Sequence, residues 1–120
     1  MYFRENFHTD AAPQAIGPYS QAVRAGELVF ISGQIPLDPA TMELVDGDFR
    51  RQVEQVMTNI EAVASAAGGT LCQLVKLNVY LTDLAKFEVV NEVLDEFFLE
   101  PYPARAAVEV SALPKGAQVE

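Results

Sequence analysis

Apolar residues recur at three- and four-residue intervals between Asp48 and Ala67, where Phe49, Val53, Val56, Met57, Ile60, Val63, Ala64 and Ala67 form one stripe. That spacing predicts an amphipathic helix, which Gly68-Gly69 ends. The period then changes. Val75, Leu77, Val79 and Leu81 alternate with Lys76, Asn78, Tyr80 and Thr82, the pattern of a strand buried on one face. Asp83 follows as the cap of a second helix. Its apolar face is Phe87, Val90, Leu94, Phe97 and Phe98, and the Pro101-Tyr102-Pro103 block stops it.

Leu28 to Ile31 reads as a buried strand, with Gln21 to Arg24 as its partner across a tight Ala25-Gly26-Glu27 turn. Arg105 to Val110 and Ala117 to Glu120 supply the last strands, while the segment through His8 shows no period and reads as irregular. The order β-β-α-β-α-β-β predicts an α+β domain, a single mixed sheet of about six strands with two α-helices packed on one face. Helices on one side leave the other side of the sheet uncovered. Strands such as Leu28 to Ile31, apolar on both faces, are poorly placed in water, so the chain is expected to self-associate.

At 120 residues the chain is expected to form one domain over residues 1–120. Eight Lys and Arg against 17 Asp and Glu give a net charge of -9, a field that repels polyphosphate and disfavours a nucleic-acid partner. Cys72 is the single cysteine and His8 the single histidine, so neither a disulfide nor a zinc or iron-sulfur ligand set is expected. A reducing, cytoplasmic setting fits that usage. No apolar run resembles a signal peptide or approaches the roughly 18 residues a membrane span requires. Cys72, without a flanking base, reads as a small buried apolar residue. Nothing near His8 builds a triad or metal site around it.

Within Pro103-Ala104-Arg105-Ala106-Ala107-Val108-Glu109-Val110 a single cation stands in an apolar, strand-like run. A guanidinium in such surroundings calls for an anionic partner. Residues two apart share a face, so Arg105, Ala107 and Glu109 line one side, with Glu109 roughly 13 Å away along it and too distant to pair. Ala107 leaves room between them, and a planar fork beside a gap suits a carboxylate ligand held bidentately. A structural or intersubunit ion pair is the alternative. Glu120 is the second carboxylate of interest. If the last two strands formed a hairpin, it would lie diagonally from Arg105 at roughly 7 to 8 Å, enough for a small ligand. The connection Ser111 to Gly116 is also long enough to step over a neighbouring strand, and then the two groups could meet only across a subunit contact. A solvated strand-end carboxylate is the plain reading of Glu120 alone.

Gly17-Pro18-Tyr19-Ser20-Gln21-Ala22, Ser32-Gly33-Gln34-Ile35-Pro36, Asn91, Pro103-Ala104-Arg105, Val108-Glu109-Val110, Leu113-Pro114-Lys115-Gly116 and Glu120, in that order, closely resemble the reactive intermediate deaminases, the YjgF or RidA family. The likeness runs from about residue 10 to the end. It implies a chorismate mutase-like fold, a homotrimer with sites in clefts between subunits, and no metal or cofactor. The implied activity is that of a 2-iminobutanoate/2-iminopropanoate deaminase, hydrolysing 2-imino acids or the enamine 2-aminoacrylate to 2-keto acids and ammonia. On this resemblance Arg105 holds the substrate carboxylate and Glu120 activates the attacking water. Tyr19, Ser32, Gly33, Asn91 and Ala107 are expected to contact the substrate.

Two departures stand out. Many relatives carry cysteine where this chain has Ala107, so thiol-dependent behaviour is not expected. Relatives also continue the last strand past the glutamate, so if the chain ends at Glu120, a frayed strand and reduced activity are expected. A non-catalytic trimer that binds small carboxylic acids such as 2-keto acids needs Arg105 but not Glu120. The ribonuclease label that some relatives carry conflicts with the acidic charge and the lack of a histidine pair.

Overall fold

The computed structural model describes residues 3–120. Three short strands, β1 (Arg4–Phe7), β2 (Ala22–Ala25) and β3 (Leu28–Ile31), form an antiparallel group in that order. They are followed by α1 (Phe49–Ala66), β4 (Lys76–Leu81), α2 (Phe87–Phe97) and β5 (Ala104–Glu109), with β5 parallel to β4. Five strands therefore stand where about six are expected, and their ladders fall into an antiparallel group and a parallel pair. The two helices match the periodicity closely. Among the described residues no helix is long and apolar enough to cross a membrane.

Local chemistry sets the helix ends. Asp48 accepts a hydrogen bond from the Arg51 N–H at 3.0 Å and opens α1. Gly68, at φ 85°, closes it, and the Gly69 N–H returns to the Ala64 carbonyl at 2.9 Å. Asp83 caps a short turn, Leu84–Lys86, that leads into α2, rather than α2 itself. Arg50 on α1 ties the two helices together through Glu92 and Glu96 of α2, while also pairing with Glu54 one turn on. Between the helices and β4 lies the main core, with Val53, Val56, Met57, Val79, Leu81, Val90, Val93 and Leu94 buried in it and Val119 joining from the last residues.

Three expectations are corrected. The segment before His8 is not irregular: β1 pairs with β2 over four residues. Its Arg-Glu-Asn-Phe sequence lacks alternation because it is an exposed edge strand, held by backbone pairing to β2 and by Asn6 donating to Ser20 Oγ at 2.7 Å. Ala117 to Glu120 is not a full strand and does not pair with β5. It runs antiparallel along the other edge of β4, joined by the Leu81–Val119 bridge and by reciprocal bonds of 3.0 Å between Glu120 and Tyr80. Cys72 is exposed, because in the turn Leu71–Gln73 it is Leu71 that takes the inward position.

Two buried amides fasten the loops around this frame. Gln21 accepts from the Thr9 N–H at 2.7 Å and donates to the Pro13 carbonyl at 2.8 Å, holding the chain before β2. Asn59 of α1, fully buried, donates to the Leu37 carbonyl at 3.0 Å and accepts from Gln55 at 2.8 Å. It thereby anchors the segment that follows Gly33. Asn59→Ala leaves the Leu37 carbonyl buried without a donor, so it should lower the unfolding free energy by about 1–3 kcal/mol in urea titrations; an unchanged midpoint and slope would contradict that anchoring.

Candidate functional site

Register on β4 decides where the two charged groups go. Arg105, Ala107 and Glu109 stand beside Leu77, Val79 and Leu81, whose side chains enter the core, and paired residues of neighbouring strands share a face. Arg105 therefore points to the helix side. There its Nη1 donates to Asn91 Oδ1, and its Cζ lies 4.8 Å from the centroid of the Phe87 ring. Both partners come from α2, four residues apart and on one helix face. Neither carries charge. Among the described residues the only ion pairs are His8 with Asp10 and Arg50 with its three glutamates, so the structural ion pair considered for Arg105 is not formed within the chain. The guanidinium is exposed.

Ala107 does not leave open space as expected, because it is half-buried and packs against the main core. Glu109 acts locally, its Oε1 accepting from the Leu84 N–H at 2.9 Å and steadying the turn before α2. The guanidinium thus lies against α2 from β5, whose one paired neighbour among the described strands is β4.

Glu120 goes to the opposite face. Val119 is buried in the core, so its neighbour points away from the helices, level with Tyr80. The carboxylate rests against Gly33: a Cβ there would lie 2.8 Å from Glu120 Oε1 and 2.9 Å from Cδ. Any side chain at this position would have to displace the Glu120 carboxylate, so glycine is what lets it rest there. Burial raises the Glu120 carboxyl above its ordinary value. Glu120 is also not frayed, since both its backbone groups are bonded to Tyr80.

The carboxylate opens onto a groove of about 640 Å³ between β3 and β4, with Ile60 and Ala64 of α1, and Ala67 just past its end, among its lining. Ser32, Gly33, Gln34, Asn78 and Tyr80 also line it. Ser32 donates its hydroxyl to the Ser20 carbonyl at 2.6 Å and its N–H to the Gln21 carbonyl at 3.0 Å, so it shapes the wall. Tyr19 is not part of this lining. Its hydroxyl accepts from the Ile16 N–H at 3.3 Å on an exposed loop.

Within one chain, then, the expected residues form two half-sites. Arg105, Asn91 and Ala107 gather on the helix side of β5, whereas Glu120, Gly33 and Ser32 gather on the open side beyond β4. Two strand spacings of about 4.8 Å and a three-residue offset of about 3.3 Å each put the Cα atoms of Arg105 and Glu120 roughly 14 Å apart, on opposite faces of the sheet. The hairpin in which they lie diagonally is overturned, because β4 stands between them. Phe87 is the site residue that the sequence did not reveal, although its spacing of four from Asn91 is the signal that pairs them. Among the described residues no three His, Cys, Asp or Glu side chains converge as metal ligands would.

Comparison with known proteins places this arrangement in a family. The model of the family described as Endoribonuclease L-PSP matches residues 9–120. Protein DfrA of Myxococcus xanthus is 55% identical over 98% of this chain and 91% of its own. The 2-iminobutanoate/2-iminopropanoate deaminase of Dermatophagoides farinae is 46% identical, covering 93% of this chain and 88% of its own. The crystal structure of RidA from the Antarctic bacterium Psychrobacter sp. PAMC 21119 superimposes with a TM-score of 0.93 at 57% identity, covering 96% and 93% of the two chains. The names that relatives carry differ, but the matches cover nearly the whole length of each chain. With its fold and motifs shared over that length, the chain belongs to the RidA family of imine deaminases and L-PSP-like proteins.

Proposed function

We propose that this protein hydrolyses reactive 2-imino acids, and their enamine tautomers such as 2-aminoacrylate, to 2-keto acids and ammonia, in clefts formed between copies of the chain. The observation that carries this reading is the state of Arg105. It is a cation held in place by an amide and an aromatic ring, with no anion paired to it among the described residues. Such a group is prepared for a carboxylate ligand.

The reaction follows from the two half-sites. Arg105 grips the carboxylate of the substrate through paired charge-assisted hydrogen bonds. The protonated imine carbon is then attacked by a water whose proton passes to Glu120, and the C–O bond forms as the C=N π bond breaks. Glu120 returns that proton to the amine nitrogen of the tetrahedral intermediate. Glu120, again a carboxylate, takes the hydroxyl proton as the C–N bond breaks, so ammonia leaves and the keto group forms. A carboxyl raised by burial is suited to both halves of this exchange, because it accepts and releases a proton nearer neutral pH. An iminium is already electrophilic, so positioning and one proton shuttle supply much of the acceleration.

Because Arg105 and Glu120 leave opposite faces of the sheet, the proposed site takes Arg105 from one copy and Glu120 from another. The apolar open face supports such an assembly: Leu28 is 56% exposed, Phe30 62% and Val108 47%, area that burial against a second copy would remove from water. The proposed assembly is a homotrimer, a reading the family resemblance supports, and the net charge of -9 disfavours a nucleic-acid partner.

Three outcomes test this reading. With 2-aminoacrylate supplied by a serine dehydratase and pyruvate followed, Arg105→Ala should raise KM by about 10- to 100-fold, and Glu120→Gln should lower kcat by about 10² or more. Wild-type rates in either variant would sink the mechanism. The wild-type rate should rise with pH through a pKa above the ordinary glutamate range, since Glu120 acts deprotonated; a profile flat across that range would remove it as the base. Gly33→Ala should cut kcat/KM by about tenfold or more, because the added methyl displaces the Glu120 carboxylate. Thermal melting of that variant should stay near wild type, the displaced group being the end of a flexible side chain.

A further inference from the structure

Phe87 belongs by sequence to the apolar face of α2, and part of its ring does pack on the core. Its other contact is of a different kind. The Arg105 guanidinium lies over the ring with Cζ 4.8 Å from the centroid, a distance at which a cation is attracted to the aromatic face. Asn91, one turn further along α2, meets the same guanidinium at Nη1. Together the two side chains fix Arg105 from one helix.

A guanidinium has five N–H donors in its plane. Asn91 engages one of its nitrogens, and a ring stacked on the face consumes none. A carboxylate in place of Phe87 would hold Arg105 as firmly but would neutralise it and occupy the fork. The aromatic ring orients the group while leaving its charge and its remaining donors available. We infer that Phe87 is a positioning residue for the carboxylate-binding arginine, acting with Asn91 to keep Arg105 ordered and unneutralised before the substrate arrives. This rests on the function proposed above, which it deepens by naming what prepares the binding group.

Phe87→Leu keeps an apolar side chain against the core and removes the aromatic face, while Phe87→Tyr keeps both. In Phe87→Leu the KM for the imino acid, and the Kd for 2-ketobutyrate measured by calorimetry, should rise about two- to fivefold, with kcat changing less because Glu120 is untouched. Phe87→Tyr should restore both constants. In an Arg105→Ala background Phe87→Leu should have no further effect on 2-ketobutyrate binding. The Nε–H resonance of Arg105, shifted by the ring current in wild type, should move toward the random-coil value in Phe87→Leu. An unmoved resonance, an unchanged KM and Kd, or an equal loss with and without Arg105 would each overturn the inference. A wild type that binds 2-ketobutyrate yet hydrolyses no imine would sink the deaminase reading while leaving this clamp to stand or fall on binding and resonance alone.

Discussion

Backbone pairing on both edges of β4 is the constraint from which the arrangement follows. On one edge the parallel ladder sets Arg105 level with Leu77; on the other, Glu120 exchanges two hydrogen bonds with Tyr80. Since side chains alternate along a strand, residue 77 and residue 80 face opposite ways. A slip of one residue on either edge would bring Arg105 and Glu120 to the same face and would expose Val119 or Ala107 in exchange. The core enforces the register, because Leu81, Val79 and Val119 are all buried against the helices.

The two groups are prepared by contrasting environments. Arg105 is exposed but ordered by uncharged neighbours, so its charge is undiminished in a protein whose net charge of -9 otherwise repels anions. Glu120 is partly buried beside a glycine and the groove wall, so its carboxyl is held above the ordinary range. On the proposed function, one half-site attracts the acid end of a ligand and the other handles protons. Glu109 and Ala107, between them in sequence, serve the scaffold: the first caps the turn before α2 and the second packs on the core.

Helices α1 and α2 and strand β4 are legible in the sequence because their periods are strong and the helix ends carry Asp48, Gly68 and Pro101, and β3 is legible as an unbroken apolar run after the Ala25-Gly26-Glu27 turn. β1 is not, since Arg4-Glu5-Asn6-Phe7 has no alternation and is a strand only because β2 offers a free edge. The path of the last residues is equally hidden. Ser111 to Gly116 is long enough for either a hairpin or a crossing, and only the burial of Val119 beside Leu81 selects the crossing. Strand pattern and charge name Arg105 and Glu120 as candidates and the family resemblance adds Gly33, but the contact that explains Gly33 lies 87 positions away in sequence, at Glu120. Phe87 reads as core because an aromatic on an apolar face usually is.

The opposite-face geometry has a genetic consequence. On the proposed assembly each whole site draws its arginine and its glutamate from different copies, so a chain defective in one of them still owns a sound version of the other. Two alleles, each null alone because one lacks the arginine and the other the glutamate, would rescue one another within mixed oligomers wherever the surviving groups happen to adjoin.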